Sequence, residues 1–190
     1  MTHFNKQQIE DGVRLILGGL GEDLDREGLR DTPKRVANAF EEVCGGLNKD
    51  ADELFSTTFD ADCHDIVIVK DIPFYSLCEH HLLPFFGHAH IAYIPNTDGR
   101  VCGISKLARV VEVFARRPQL QERLCDEVAS SIVKNLQPLG VLVIMEAEHL
   151  CMTMRGVQKP GAITTTSSVH GAFKANPSTR QEALNLIYHQ

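Results

Sequence analysis

Ser76-Leu77-Cys78-Glu79-His80-His81-Leu82-Leu83-Pro84 packs a thiol and two imidazoles into the four residues 78–81. A second cluster stands far downstream at Glu148-His149-Leu150-Cys151, with Arg155 just beyond it. Cys and His are the preferred ligands of zinc, and three protein ligands leave a fourth position for water. Cys78 and His81, at i and i+3, share one side of a turn-like loop. His149 and Cys151, two apart, are expected to share one side of a strand. The two pairs can therefore converge on one zinc ion, with Cys78, His81 and Cys151 as ligands. His80 and His149 are then left to move protons.

Other Cys and His residues compete for that reading. Cys63-His64 is a second Cys-His pair, and His88 and His90 alternate along a strand in a way that would also suit a metal. Polar alternation on a half-exposed strand explains His88 and His90 equally well. Cys44, Cys102 and Cys125 read as ordinary structural thiols.

Outward from the first cluster the period changes. Ile66-Val67-Ile68-Val69 is β-branched and strand-like, leading through Pro73 into the Cys-His stretch. Gly87 to Ile94 reads as its partner strand, ended by Pro95-Asn96. A long connection between the two would place Cys78 in a loop over one end of the sheet. Two helices follow, separated by Pro118. Leu107, Val110, Val111 and Phe114 form the apolar face of the first, and Leu120, Leu124, Val128, Ile132 and Leu136 that of the second. Val141 to Met145, running on to His149, and Ile163 to Val169 then read as strands. Ser178 and Gln181 suggest a capping box for a C-terminal helix carrying Leu184 and Ile187.

Upstream, Ile9, Val13, Ile16, Leu17 and Leu20 keep helical spacing up to Gly18-Gly19. Thr32-Pro33 suggests a second helix start with Thr32 as N-cap, continued by Val36, Ala39, Phe40 and Val43 and stopped by Gly45-Gly46. These two helices make an N-terminal lobe over residues 1–60, joined through the polar Asn48–Glu53 segment to a unit over residues 61–190. Strand, strand, helix, helix, strand, strand is an α+β layout, an antiparallel sheet with two helices on one face.

Bulk properties narrow the function classes. At 190 residues and 43% hydrophobic, the chain can bury one good core. A formal net charge of −6 argues against a general binder of nucleic acid or membrane surfaces. No apolar run approaches the ~20 residues of a membrane span. The opening Met1 to Lys6 reads as the start of a polar helix rather than a signal peptide, which makes the cytoplasm the expected compartment. There the six cysteines are expected as thiols or metal ligands.

Gly103-Ile104-Ser105-Lys106 opens a helix, whose free N–H groups attract anions, and Arg109 lies one turn on. With Arg155 these cations suit a polyphosphate. A carboxylate at Glu122, beside Gln121, can accept from two adjacent donors of a base such as guanine. As single surface charges, each also has an ordinary reading as a solvated residue.

At these residues the sequence resembles GTP cyclohydrolase I. The likeness runs through Ser-Leu-Cys-Glu-His-His-Leu-Leu-Pro-Phe-Phe-Gly at 76–87, Gly-Ile-Ser-Lys-Leu-Ala-Arg at 103–109 and Arg-Pro-Gln-Leu-Gln-Glu-Arg at 117–123. It continues with Glu-His-Leu-Cys-Met-Thr-Met-Arg-Gly at 148–156 and Thr-Thr-Thr-Ser at 164–167. The resemblance implies a T-fold (tunnelling fold), a homodecamer of two pentamers with active sites between subunits, and conversion of GTP and water to 7,8-dihydroneopterin triphosphate and formate. In that scheme His149 serves proton transfers beside the metal, and His80 protonates the purine and later the ribose ring. Ser105 contacts the ribose. Lys106, Arg109 and Arg155 hold the triphosphate, while Glu122, with backbone near Gln121, reads the guanine edge. Two rivals stand beside it: a structural zinc or nucleotide-binding protein without turnover, and a pterin-handling relative with another reaction.

Overall fold

Apolar and β-branched runs give this chain its sheet, and apolar residues at helical spacing cover it. The computed structural model describes residues 4–189. The reading of the first residues as a helix start therefore lies outside the described residues at Met1–His3; Asn5 caps the first helix by accepting from the Gln8 N–H.

In chain order the elements are α1 (Lys6–Gly19), α2 (Thr32–Val43), two 3₁₀ turns (Gly45–Asn48 and Asp52–Phe55), β1 (Thr58–Asp60), β2 (Val67–Cys78), β3 (Pro84–Ile94) and β4 (Arg100–Cys102). Then come α3 (Ile104–Ala115), β5 (Pro118–Gln119), α4 (Gln121–Leu136), β6 (Gly140–His149), α5 (Leu150–Thr153), β7 (Ile163–Gly171), α6 (Ala172–Ala175) and α7 (Pro177–Tyr188). Among the described residues the main sheet has the order β5-β2-β3-β6-β7, antiparallel except for the short parallel contact of β5 with β2. β1 and β4 form a separate two-stranded ribbon.

The core lies between the sheet and the α3–α4 layer. Leu107, Val110 and Val111 of α3 and Leu124, Val128, Ile132 and Leu136 of α4 are all fully buried. They meet Phe85, Ala89, Ile91 and Tyr93 of β3 and Val141, Val143, Met145 and Ala147 of β6. Each large aliphatic side chain so buried stabilises the fold by ~1.5–3 kcal/mol relative to exposure. A smaller cluster on the opposite face joins Ala92, Leu142 and Ile144 to Phe173, Ala183 and Ile187, so α6 and α7 cover part of that face.

Several expectations are corrected. β2 does not end before the Cys-His stretch but crosses Pro73 and runs to Cys78, and the connection to β3 is a short turn. Proline is tolerated because β2 is an edge strand over most of its length. Midway, the register jumps from Val69↔Ile91 to Ile72↔Ala89, and Asp71 takes a φ of 58°. This β-bulge is anchored on both sides: the Asp71 N–H donates to His90 Nδ1, and Lys70 Nζ donates to the last carbonyls of α7. Thr32 is not the cap of α2. Asp31 precedes the helix, while Thr32 is already helical and its hydroxyl donates to the Gly28 carbonyl. At α7 the cap is Asn176, accepting from the Ser178 and Thr179 N–H groups, rather than the Ser178/Gln181 box. Within the polar Asn48–Glu53 segment Ala51 is buried in the main core, as is Phe55 just beyond it.

β3 and β6 approach closely at Gly87, where an added Cβ would lie 1.8 Å from the Glu146 carbonyl oxygen and 2.7 Å from the Ala147 Cα. Backbone cannot yield as a side chain does. Gly87→Ala is expected to cost ~3 kcal/mol or more in denaturant unfolding; a loss under ~1 kcal/mol would show that the two strands part easily there.

Candidate metal centre and active site

Five elements end at one edge of the main layer and deliver the candidate side chains to it. β2 stops at Cys78 and β3 starts at Pro84, and the turn between them is closed by backbone bonds. The Cys78 N–H donates to the Leu83 carbonyl at 2.8 Å, while the Cys78 carbonyl accepts from Leu82 at 2.7 Å and His81 at 3.2 Å. That i, i+3 closure puts His81 Nδ1 at 3.7 Å from Cys78 Sγ.

At the end of β6 the chain leaves the sheet. The strand expectation for Cys151 is corrected here: β6 ends at His149, and Leu150–Thr153 is a helical turn. His149 and Cys151 therefore do not share a strand face, and the turn carries Cys151 back toward the Cys78 loop. Ligand atoms of Cys78, His81 and Cys151 all lie within 4.8 Å of one another. This is the only His/Cys/Asp/Glu group of three or more so arranged among the described residues; Cys63, His64, His88 and His90 form none. Instead His64 pairs with Asp62, and buried His90 accepts from the Asp71 N–H.

The donor set suits a metal. Two donors held by one tetrahedral ion at zinc distances stand ~3.3–3.8 Å apart, close to the Cys78–His81 separation. Burial and the adjacent Cys78 sulfur push the Cys151 thiol above its ordinary value. Thiolate ligands must shed their protons, so a metal bound here would release protons from the cysteines. Arg155 Nη1 lies 3.1 Å from His81 Nε2. An imidazole that gives Nδ1 to a metal carries its proton on Nε2, so this contact and metal ligation through Nδ1 exclude each other.

His149 is held from two sides. Its ring stacks on Phe85, with centroids 4.6 Å apart and planes 2° from parallel, and its Nε2 lies 2.7 Å from Gln121 Oε1. Burial lowers its pKa, with nearby Glu122 opposing the shift. The first turn of α4 thus brings both Gln121 and Glu122 to the site. Glu122 is exposed, while Gln121 is 1% exposed and its amide is fully engaged inside the protein. His80 is exposed, its ring centroid 6.2 Å from that of His81 and nearly perpendicular to it. Glu79 is tied to α4 by its ion pair with Arg123.

Ser105, Lys106 and Arg109 are not brought to this edge within one chain. α3 delivers its C-terminal end there, since Pro118 and Gln119 pair with Leu77 and Cys78. Its first turn lies ~15 Å away along the helix. There Lys106 Nζ donates to the Thr57 carbonyl, and Ser105 and Arg109 are exposed. A separate apolar groove beside the end of α2 is lined by Pro73, Tyr75, Glu112 and Arg116, among others, and contains no candidate ligand.

Sequence reasoning missed Phe85 as the plate behind His149 and the side-chain role of Gln121. Phe85 was legible only as part of an apolar run; its register opposite His149 shows the contact.

A three-donor group that could hold a metal ion, beside a hydrogen-bonded histidine on an α+β frame, is an arrangement suited to a hydrolase. The chain belongs to the GTP cyclohydrolase I family, whose model matches residues 9–188. It is 59% identical over 187 residues to GTP cyclohydrolase 1 of Geobacillus sp. (strain WCH70), covering 98% of this chain and 99% of that protein. Against GTP cyclohydrolase 1 of Carboxydothermus hydrogenoformans it is 59% identical over 186 residues, covering 98% and 96%. The crystal structure of the archaeosine synthase QueF-like protein in the apo form superposes with a TM-score of 0.45 at 19% identity, over 56% of this chain and 94% of that one. The sheet with α3 and α4 on one face is the T-fold expected of the family. No helix among the described residues is long and apolar enough to cross a membrane.

Replacing one thiolate donor tests the metal centre directly. Cys151→Ser should leave the fold intact, because Cys151 lies only partly buried in a short turn beyond β6, and weaken metal affinity by ~10²-fold or more. Elemental analysis after dialysis should find little zinc in the variant. Full zinc retention would move the centre elsewhere.

Proposed function

We propose that this chain is a zinc-dependent GTP cyclohydrolase I, converting GTP and water to 7,8-dihydroneopterin triphosphate and formate, the first step of folate and pterin synthesis. The observation that carries the reading is the convergence of Cys78, His81 and Cys151 beside a restrained His149, in a chain of this family. Those three residues would hold zinc, which when bound supplies a Lewis acid and a water acidified toward neutrality.

The chain's own groups do the rest. Opening the imidazole ring and releasing its carbon as formate require protons to move on and off ring nitrogens, which suits imidazoles titrating near neutral pH. His149 is assigned to transfers at the reacting carbon and His80, free and solvated, to the purine and ribose. Glu122 accepts from the N1–H and 2-amino group of guanine, Ser105 contacts the ribose, and Lys106, Arg109 and Arg155 hold the triphosphate.

This assignment needs more than one chain. The cations of α3 stand a helix length from the metal edge of their own subunit, so the reading has a neighbouring copy supply Ser105, Lys106 and Arg109. That fits a homo-oligomer, a decamer of two pentamers in the family pattern, with each pocket between subunits. The described cysteines are free thiols, in keeping with a reducing cytoplasm.

Purified protein mixed with GTP should yield a fluorescent pterin after oxidation; GTP bound but unchanged would favour a nucleotide-binding protein without turnover. Shared pockets make a second expectation. Cys151→Ser and Lys106→Ala chains, each inactive alone, should regain about a quarter of wild-type activity when co-assembled at random in equal amounts. No recovery would place both halves of the pocket in one chain.

Base reading rests on Glu122. In Glu122→Gln one acceptor becomes an amide NH₂ facing a guanine donor, which costs ~1–3 kcal/mol. GTP efficiency should fall at least ~10-fold with zinc unchanged, and the preference for GTP over inosine triphosphate should shrink. Equal preference in both proteins would make Glu122 an ordinary surface residue.

A further inference from the structure

Gln121 opens α4, yet its side chain points inward and is 1% exposed. Its Nε2 donates to the backbone carbonyls of Met145 at 2.9 Å and Thr164 at 2.9 Å, and lies 3.2 Å from the Thr166 hydroxyl. A carbonyl oxygen can only accept. Two of them, one from β6 and one from β7, therefore fix which way the amide is turned: the NH₂ must face the sheet. Oε1 then faces the other way, toward His149 Nε2 at 2.7 Å. An amide oxygen can also only accept, so that ring nitrogen must carry the proton.

The geometry points to Gln121 as a positioning residue that holds His149 in its Nε2–H tautomer, leaving Nδ1 as the nitrogen that exchanges protons with the substrate. This rests on the reading of the site as a GTP cyclohydrolase centre and adds to it the working atom of its histidine. The chain of constraint runs from sheet carbonyls through one amide to one imidazole. Phe85 completes it by fixing the ring plane, stacked 4.6 Å away at 2°. A histidine free to flip would present its two nitrogens in turn, and half of its encounters with substrate would offer a proton where a lone pair is needed. Gln121 does this without touching the reacting atoms. Its place beside Glu122 in the chain couples base recognition and histidine orientation to the same first turn of α4.

The test uses the assembled, zinc-loaded enzyme with ¹⁵N-labelled histidine. Solid-state ¹⁵N spectra locate the ring proton, and the signals lost in His149→Gln identify His149. Wild type should show a protonated Nε2 and a bare Nδ1. Gln121→Met fills the same volume without an acceptor. It should show both tautomers at residue 149 and a kcat lowered by at least ~10-fold, with zinc per chain and the KM for GTP within ~3-fold of wild type. A purely structural Gln121 would lower the melting temperature but leave tautomer and kcat alone, which would overturn the inference. So would a proton on Nδ1 in the wild type, and that measurement stands even if Gln121→Met does not fold. Absence of GTP turnover in the wild type would instead sink the functional reading and leave the tautomer assignment in place.

Discussion

The backbone of Cys78 closes the turn that everything at the metal edge depends on. Both of its polar groups are spent within five residues, its N–H on Leu83 and its carbonyl on Leu82 and His81. The main chain is so committed, with Leu82 at a φ of 54°, that the loop carries its thiol and imidazole on a fixed backbone. The same turn is clamped from outside, because the Glu79 N–H donates to the Gln119 carbonyl and its carboxylate pairs with Arg123. The segment between α3 and α4 is thereby bound to the ligand loop.

Such rigidity suits a site whose groups are individually costly. Burial works against the ionised Cys151 and against protonated His149. Both are tied to the sheet, Cys151 on a turn continuous with β6 and His149 stacked on Phe85. The frame thus keeps Cys151 buried beside the Cys78 sulfur, and a cation bound between them would favour its thiolate.

How much of this could be read beforehand depended on whether the signal was local. The stripes of α3 and α4, the apolar run of β6 and the Thr- and Ser-rich run of β7 are local patterns, and each lies inside or within a few residues of its element. The Cys-His spacing was enough to group Cys78, His81 and Cys151, although the strand argument for Cys151 was wrong and the helical turn at Leu150 achieves the meeting. What stayed hidden was set by tertiary partners. β2 crosses Pro73 because its outer edge is open there, a property of strand order and not of sequence. Thr32 and Ser178 look like caps, but Asp31 and Asn176 hold those places. Gln121 reads as a polar helix start; only the convergence of two carbonyls and an imidazole shows why an amide stands there.

The bulge at Lys70–Asp71 acts on residues well beyond itself. Before it, Val67 and Val69 face the α3–α4 core while Ile66 and Ile68 face α7; after it, Ile72, Phe74 and Cys78 face the core. Odd-numbered residues point inward upstream and even-numbered ones downstream, so the extra residue inverts the phase of the strand. The extra residue costs the sheet nothing on its core face: Val69 stands opposite Ile91 and Ile72 opposite Ala89, and all four face the core. A one-residue deletion there would restore plain alternation and leave Cys78 on the core side. What it would remove are the Asp71 N–H bond to His90 and the reach of Lys70 to the end of α7, so the bulge ties the outer strand to the C-terminal helix rather than aiming the thiol.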